Sequence, residues 1–207
     1  MEHNFDDHYW NAIWTGDRAI AMSASDPNPH LQRETRDLEP GTALDAGCGA
    51  GAEAIWLAGQ GWTVTAADIS PVALAFGEER AAAAGLAGQV EWLSADLSTW
   101  DPGTTYDLVT THYAHPAMPQ LDFYDRLAEW VAPGGTLLIV GHLHGHDSPD
   151  EASATAANIT ARFDSPGWEI VTAEESQRTV NGPGGHGTVL HDVVVRAKRA
   201  ARNAAHG

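Results

Sequence analysis

Three carboxylates and a glycine loop carry the most specific chemistry in this chain. Leu44-Asp45-Ala46-Gly47-Cys48-Gly49-Ala50-Gly51 places glycines where a backbone can turn sharply and approach a ligand. Asp45 stands two residues before the first of them. A carboxylate there repels a pyrophosphate and attracts an ammonium group, so the loop suits a ligand with an amino-acid end better than a dinucleotide. Asp68 follows 23 residues after Asp45, where a carboxylate can accept both hydroxyls of a ribose. Asp96, in Ser94-Ala95-Asp96-Leu97, can accept from an adenine amino group. Each has a plainer reading: a tight turn without ligand, a helix-capping Asp68 before Ser70-Pro71, a solvated loop Asp96. Taken in order, the three acids describe S-adenosyl-L-methionine.

The chain has 11 histidines, unevenly spread. His112 and His115 flank Tyr113, and either can serve as a general base or orient an acceptor. His142, His144 and His146 alternate, as ligands on one strand face would, but Gly141 and Gly145 interrupt that backbone. No metal is therefore expected. His186 and His191 lie further on.

These residues need elements to position them. From Thr42 onward the pattern alternates strands and helices. Ala43–Ala46 reads as a strand entering the glycine loop, and a helix through Ile55–Ala58 follows until Gly59 and Gly61. Strands are expected at Trp62–Ala67, Gln89–Ser94, Tyr106–His112 and Thr136–Val140. A helix capped by Ser70 with Pro71 in its first turn should run to about Ala84. Helices are also expected at Pro119–Val131, closed by Pro133-Gly134-Gly135, and at Glu151–Arg162. Trp168–Ala173 and Thr188–Ala197 read as two late strands that can form an antiparallel hairpin, with a frayed tail from Lys198. Before Thr42, Phe5–Trp14 and His30–Leu38 read as short helices around the break at residues 23–29. The alternation implies a parallel sheet with helices on both faces, and such sheets bind ligands at the carboxyl ends of their strands.

With those motifs in place, the chain resembles the class I S-adenosylmethionine-dependent methyltransferases. Leu44–Gly51 looks like their first motif, Thr65-Ala66-Ala67-Asp68-Ile69-Ser70 their second and Ala95-Asp96-Leu97 their third. Tyr106-Asp107-Leu108-Val109 matches their fourth strand, and Ala132–Leu137 the turn into the fifth. Tyr9, Trp14 and Pro27-Asn28-Pro29 more weakly resemble the small subgroup of tellurite-resistance and thiopurine methyltransferases, in which an N-terminal segment closes over the cofactor. The resemblance implies an α/β fold: a doubly wound, Rossmann-like, seven-stranded sheet, mostly parallel with an antiparallel last strand. It divides the chain into a helical lid at 1–40, a methyltransferase domain at 41–198 and a flexible tail at 199–207. It gives Asp45, Gly47 and Gly49 to the methionine end of the cofactor and Asp68 to the ribose, with Ile69 beside the adenine. Asp96 and Leu97 fall at the adenine edge and face, Thr111 under the methionine, and Trp14 near the sulfonium.

Composition narrows the partners. Acidic residues outnumber basic ones 28 to 11, for a formal charge of −17. That field repels phosphate backbones and anionic lipid, so neither nucleic acid nor a membrane is expected. Cys48 is the lone cysteine, which rules out an internal disulfide. No apolar run is long enough to span a bilayer, and the acidic start lacks the pattern of a signal peptide, so a cytoplasmic location is expected. A monomer or homodimer is expected. Tyr9, Trp10, Trp14 and Tyr113 can line a pocket for a small methyl acceptor. A protein-modifying methyltransferase and a noncatalytic cofactor-binding module are the competing readings, and Asp45 disfavours an NAD-dependent oxidoreductase.

Overall fold

The computed structural model describes residues 7–15, 24–143, 154–181 and 187–201. Two short helices come first, α1 (Asp7–Ile13) and α2 (Pro29–Thr35). The alternating body follows: β1 (Thr42–Ala46), α3 (Ala52–Gly59), β2 (Thr63–Asp68), α4 (Pro71–Ala83), β3 (Val90–Ser94), β4 (Tyr106–His112), α5 (Gln120–Glu129) and β5 (Val131–His142). It ends with α6 (Ala156–Ala161), β6 (Trp168–Asn181) and β7 (Gly187–Arg199).

The strands form one seven-stranded sheet in the order β3-β2-β1-β4-β5-β7-β6. β1 pairs in parallel with both β2 and β4, so the strand order reverses at β1. Only β7 runs against the others, pairing antiparallel with β5 and β6. The carboxyl ends of β1 to β4 and of β6 therefore face the same edge, and β7 begins there.

Apolar side chains alternate strictly between the two faces, as a strand's period of two requires. Val109, Leu137, Ile139, Val193 and Val195 pack with Phe123 and Leu127 of α5 and Ile159 of α6. Leu108, Leu138, Val140 and Val194 pack on the other face with Leu31 of α2, Leu57 of α3 and Leu74 of α4. Leu31 is fully buried, so α2 belongs to the body of the domain.

Several element boundaries differ from the sequence expectation. β5 begins at Val131 and contains Pro133-Gly134-Gly135 as a bulge, because the pairing register with β4 shifts between Tyr106 and Leu108. The helix expected from Glu151 begins at Ala156: the Thr155 hydroxyl accepts from Asn158 N–H, and the Asn158 side chain accepts from Thr155 N–H. Glu151 itself lies outside the described residues. The late strands are much longer than expected, and Lys198 and Arg199 still pair with Thr136 and Trp168, so fraying does not begin at Lys198. The Ser70 cap is as expected, its hydroxyl accepting from Ala73 N–H.

Candidate functional site

A cavity of about 810 Å³ opens at the carboxyl edge of the sheet, beside the point where strand order reverses. Trp14, Gly47, Gly49, Asp68, Ile69, Asp96, Leu97, His112 and His115 line it. Asp45 and Thr111 do not. Both are buried behind the wall, and Thr111 Oγ1 donates to the Ala46 carbonyl at 2.8 Å. Trp10 and Tyr113 also face the cavity, and Tyr9 packs edge-on against Trp10.

The glycine loop is shaped by close approach. Gly47 has φ +81°, and a Cβ there would stand 2.4 Å from Ala114 Cβ. At Gly49, φ is +52° and a Cβ would meet the Trp14 ring at 3.0 Å. The N-terminal tryptophan thus lies directly on the loop, buried beside Phe76.

The acids are held differently. Asp68 accepts from Gly49 N–H at 2.8 Å and from Ser70 N–H at 2.9 Å, which aims the β2 end at the loop and leaves further lone pairs for a ligand. Burial raises its pKa despite those donors. Asp96 Oδ1 is taken by the Ser98 backbone and hydroxyl, and no hydrogen bond among the described residues involves Oδ2. Asp45 is 1% exposed and its Oδ2 has no hydrogen-bond partner among the described residues. Burial, with Glu53 and Asp68 nearby, holds its pKa well above the ordinary carboxylate range. A buried acid with an orphaned oxygen, beside a loop that admits no side chain, fits the ammonium end of an amino-acid ligand.

The histidines separate into two kinds. His112 sits at the end of β4 with its Nδ1 4.0 Å from Asp45 Oδ1, and neither ring nitrogen has a hydrogen-bond partner among the described residues. Burial lowers its pKa, so it is a neutral imidazole near pH 7. His115 Nδ1 is 2.9 Å from Gln120 Oε1, while Gln120 Nε2 donates to the Ala114 carbonyl. The glutamine oxygen must accept, so Nδ1 carries the hydrogen and, in the neutral ring, Nε2 carries the lone pair. His142 stacks on Tyr113 with ring centroids 4.2 Å apart. His144, His146 and His186 lie outside the described residues. Among the described residues, no group of three or more histidine, cysteine or carboxylate side chains is placed to hold a metal.

Residues 43–135 match the family described as "Methyltransferase domain". Over that stretch the chain is similar to class I S-adenosylmethionine-dependent methyltransferases. S-adenosylmethionine is the cofactor of that domain. Over 109 residues it is 33% identical to a ribosomal RNA small subunit methyltransferase C from Alcanivorax borkumensis, covering 50% of this chain and 33% of that protein. Over 115 residues it is 33% identical to a trans-aconitate 2-methyltransferase from Streptomyces avermitilis, covering 53% and 40%. The chain thus spans well under half the length of these curated relatives. Its fold is similar to that of TehB from Haemophilus influenzae, with a TM-score of 0.69 and 16% identity over 93% of this chain and 66% of that one. No helix among the described residues is long and apolar enough to cross a membrane.

The sequence reading missed one wall of the site. Arg178, Thr179 and Leu190 line the cavity from β6 and β7, together with residues 24–29 of the N-terminal segment expected beside the cofactor. The signal present was the alternation Glu174, Ser176, Arg178, which continues the β6 strand period past Ala173.

Proposed function

We propose that this protein transfers the methyl group of S-adenosylmethionine to a small-molecule acceptor bound in the 810 Å³ cavity. The observation that carries this reading is the buried Asp45 with its orphaned Oδ2 behind a glycine loop whose cavity also exposes Asp68 and Asp96. Bound S-adenosylmethionine supplies an electrophilic methyl on a sulfonium. In this assignment Asp45, Gly47 and Gly49 hold the methionine end, Thr111 braces the loop beneath it through the Ala46 carbonyl, and Asp68 accepts the ribose hydroxyls. Ile69, Asp96 and Leu97 surround the adenine, and Trp14 covers the cofactor from the lid side. His115 takes the acceptor's proton at Nε2, and Gln120 keeps that nitrogen in the basic tautomer. His112, neutral and desolvated, is the weaker base and orients the acceptor. The lid is the segment up to Pro27, with Trp10 and Trp14. Residues 28–37 are counted with the body because Leu31 is core, and the tail begins after Arg199.

The acceptor is assigned to the small-molecule class because the cavity is walled by the N-terminal segment and by the β6–β7 hairpin. We infer action in the cytoplasm as a monomer or homodimer, with no nucleic-acid partner given the charge of −17. Release of S-adenosylhomocysteine with small phenols and thiols, against release with extracted cell protein, tests the acceptor class. Turnover confined to the protein fraction would replace this reading with a protein-modifying one.

Two variants test the cofactor assignment. Asp68→Ala should weaken cofactor binding by roughly tenfold to a hundredfold, the worth of hydrogen bonds to a charged group. Unchanged affinity by calorimetry would remove Asp68 from the ribose. Asp45→Asn should act in two opposed directions. Cofactor affinity should fall about tenfold or more with loss of the charge on the ammonium. The cofactor-free protein should become more stable, because Asp45 keeps its proton to higher pH when folded than when unfolded. A native state that binds the extra proton loses stability as pH rises above about 4, and asparagine removes that loss. Melting curves across pH should show the variant's advantage opening in that direction. A variant less stable than the wild type at pH 7 would contradict the placement of Asp45.

A further inference from the structure

The cavity is electrically lopsided. Among the described residues that line it, Asp26, Glu53, Asp68 and Asp96 are acidic and Arg178 is the one lysine or arginine. The two poles are set apart by the sheet. Asp68 ends β2 and Asp96 follows β3 at one end of the strand order, whereas Arg178 lies near the carboxyl end of β6 at the other. The assigned cofactor groups use the acidic end. Tyr113, which follows His112 at the end of β4 and lines the same cavity as His115, is a lining residue that Arg178 touches.

Arg178 is held there by fixed partners. Its Nε donates to Asp192 Oδ2 at 2.6 Å and its Nη2 to the Tyr113 hydroxyl at 2.8 Å. Tyr113 is itself fixed: its hydroxyl donates to Asp192 Oδ1 at 3.0 Å and accepts from Asn28 Nδ2 at 3.1 Å. Tyr113 also has φ +56°, a conformation that non-glycine residues adopt only when their surroundings impose it. These bonds use two of the five N–H groups of the guanidinium. Nη1 has no hydrogen-bond partner among the described residues, and the side chain is 26% exposed. The end of the guanidinium, Nη1 with the second Nη2 hydrogen, is a planar fork with the spacing of a carboxylate.

We infer that the methyl acceptor carries a carboxylate, and that Arg178 binds it end-on and so positions the nucleophile beside His115. This rests on the methyltransferase reading above and names the substrate class for the same cavity. Asp192 offsets part of the Arg178 charge, but it is fully buried and its bonds to Arg178 and Tyr113 lock the fork toward the cavity. An acceptor anion anywhere else along the lining would meet the acids instead. A neutral acceptor would leave the fork to water.

The test uses matched acceptors with and without the acid: salicylate against phenol, and 2-mercaptobenzoate against thiophenol. Turnover is read as S-adenosylhomocysteine release, and binding is read by calorimetry on the S-adenosylhomocysteine complex. The wild type should favour each acid by about tenfold or more in kcat/KM. Arg178→Gln should abolish that preference mainly through KM, with Arg178→Lys recovering part of it and S-adenosylhomocysteine affinity unchanged. Equal use of acid and neutral members by the wild type overturns the inference, as does a preference that survives in Arg178→Gln. An equal loss for both members would make Arg178 a structural residue and also overturns it. A complex that neither binds nor methylates any acid counts against the carboxylate while leaving cofactor binding intact. Failure of the wild type to bind S-adenosylhomocysteine would instead defeat the parent reading.

Discussion

His115→Ala is expected to lower kcat by about 100-fold or more with a phenolic acceptor, while affinity for S-adenosylhomocysteine stays within about twofold of the wild type. A phenol holds its proton at neutral pH, so a positioned base that removes it during attack contributes on that scale. The site supplies such a group in a defined form. Gln120 gives its amide N–H to the Ala114 carbonyl and its oxygen to His115 Nδ1, which leaves the Nε2 lone pair as the basic site. His112 is a poorer substitute, because burial depresses its pKa and it lies against the inner wall with Asp45. The pH–rate profile of the variant should also lose the limb that reports the base, which a purely structural change would leave in place. Gln120→Ala should reproduce a smaller part of the loss by freeing the tautomer. Full activity of His115→Ala at every pH would assign catalysis to positioning of the acceptor alone.

How much of this could be read from the chain depends on how local each feature is. The glycine loop, the Ser70 cap and strands β1 to β4 are set by neighbours a few residues apart, and they appear where periodicity and turn chemistry place them. Pro133-Gly134-Gly135 looks like a stop signal in sequence, yet it bulges within β5 because the strand is already paired to β4 at Val131. β6 was read short for a different reason. It is the outermost strand, and Val171, Ala173, Glu175, Gln177 and Thr179 are exposed, so its residues past Ala173 are as polar as a loop. Arg178 was lost with it. Asp45 and Thr111 fall at the expected strand ends, but a sequence does not say how deep behind a wall a side chain will lie. The network around Asp192 joins residues separated by 162, 79 and 14 positions, and no spacing rule brings such residues together.

That network should be among the most costly places to alter. Asp192→Ala is expected to destabilise the protein by about 3 kcal/mol, near the low end for breaking a buried ion pair by removing one partner. Asp192 is fully buried within β7 and takes three donors: Arg178 Nε at 2.6 Å, the Tyr113 hydroxyl at 3.0 Å and His30 Nε2 at 3.2 Å. It thereby ties α2, the end of β4 and the β6–β7 hairpin to one carboxylate. Alanine leaves those donors without their acceptor in a site that water enters only from the cavity side. The loss is held to the low end because Arg178 faces that cavity and can rehydrate. Asp192→Asn should cost part of that, since the amide oxygen can accept from Arg178 and His30 but the charge is lost and the NH2 group no longer accepts from the Tyr113 hydroxyl. The pair between Arg33 and Glu174 links the same helix and strand at the surface, and Glu174→Ala there should cost under about 1 kcal/mol. Urea denaturation of the three variants separates the cases by midpoint at constant slope. An Asp192→Ala variant within about 1 kcal/mol of the wild type would mean that α2 and the hairpin are held by apolar packing alone, with Leu31, Val140 and Val194 as the contacts that remain.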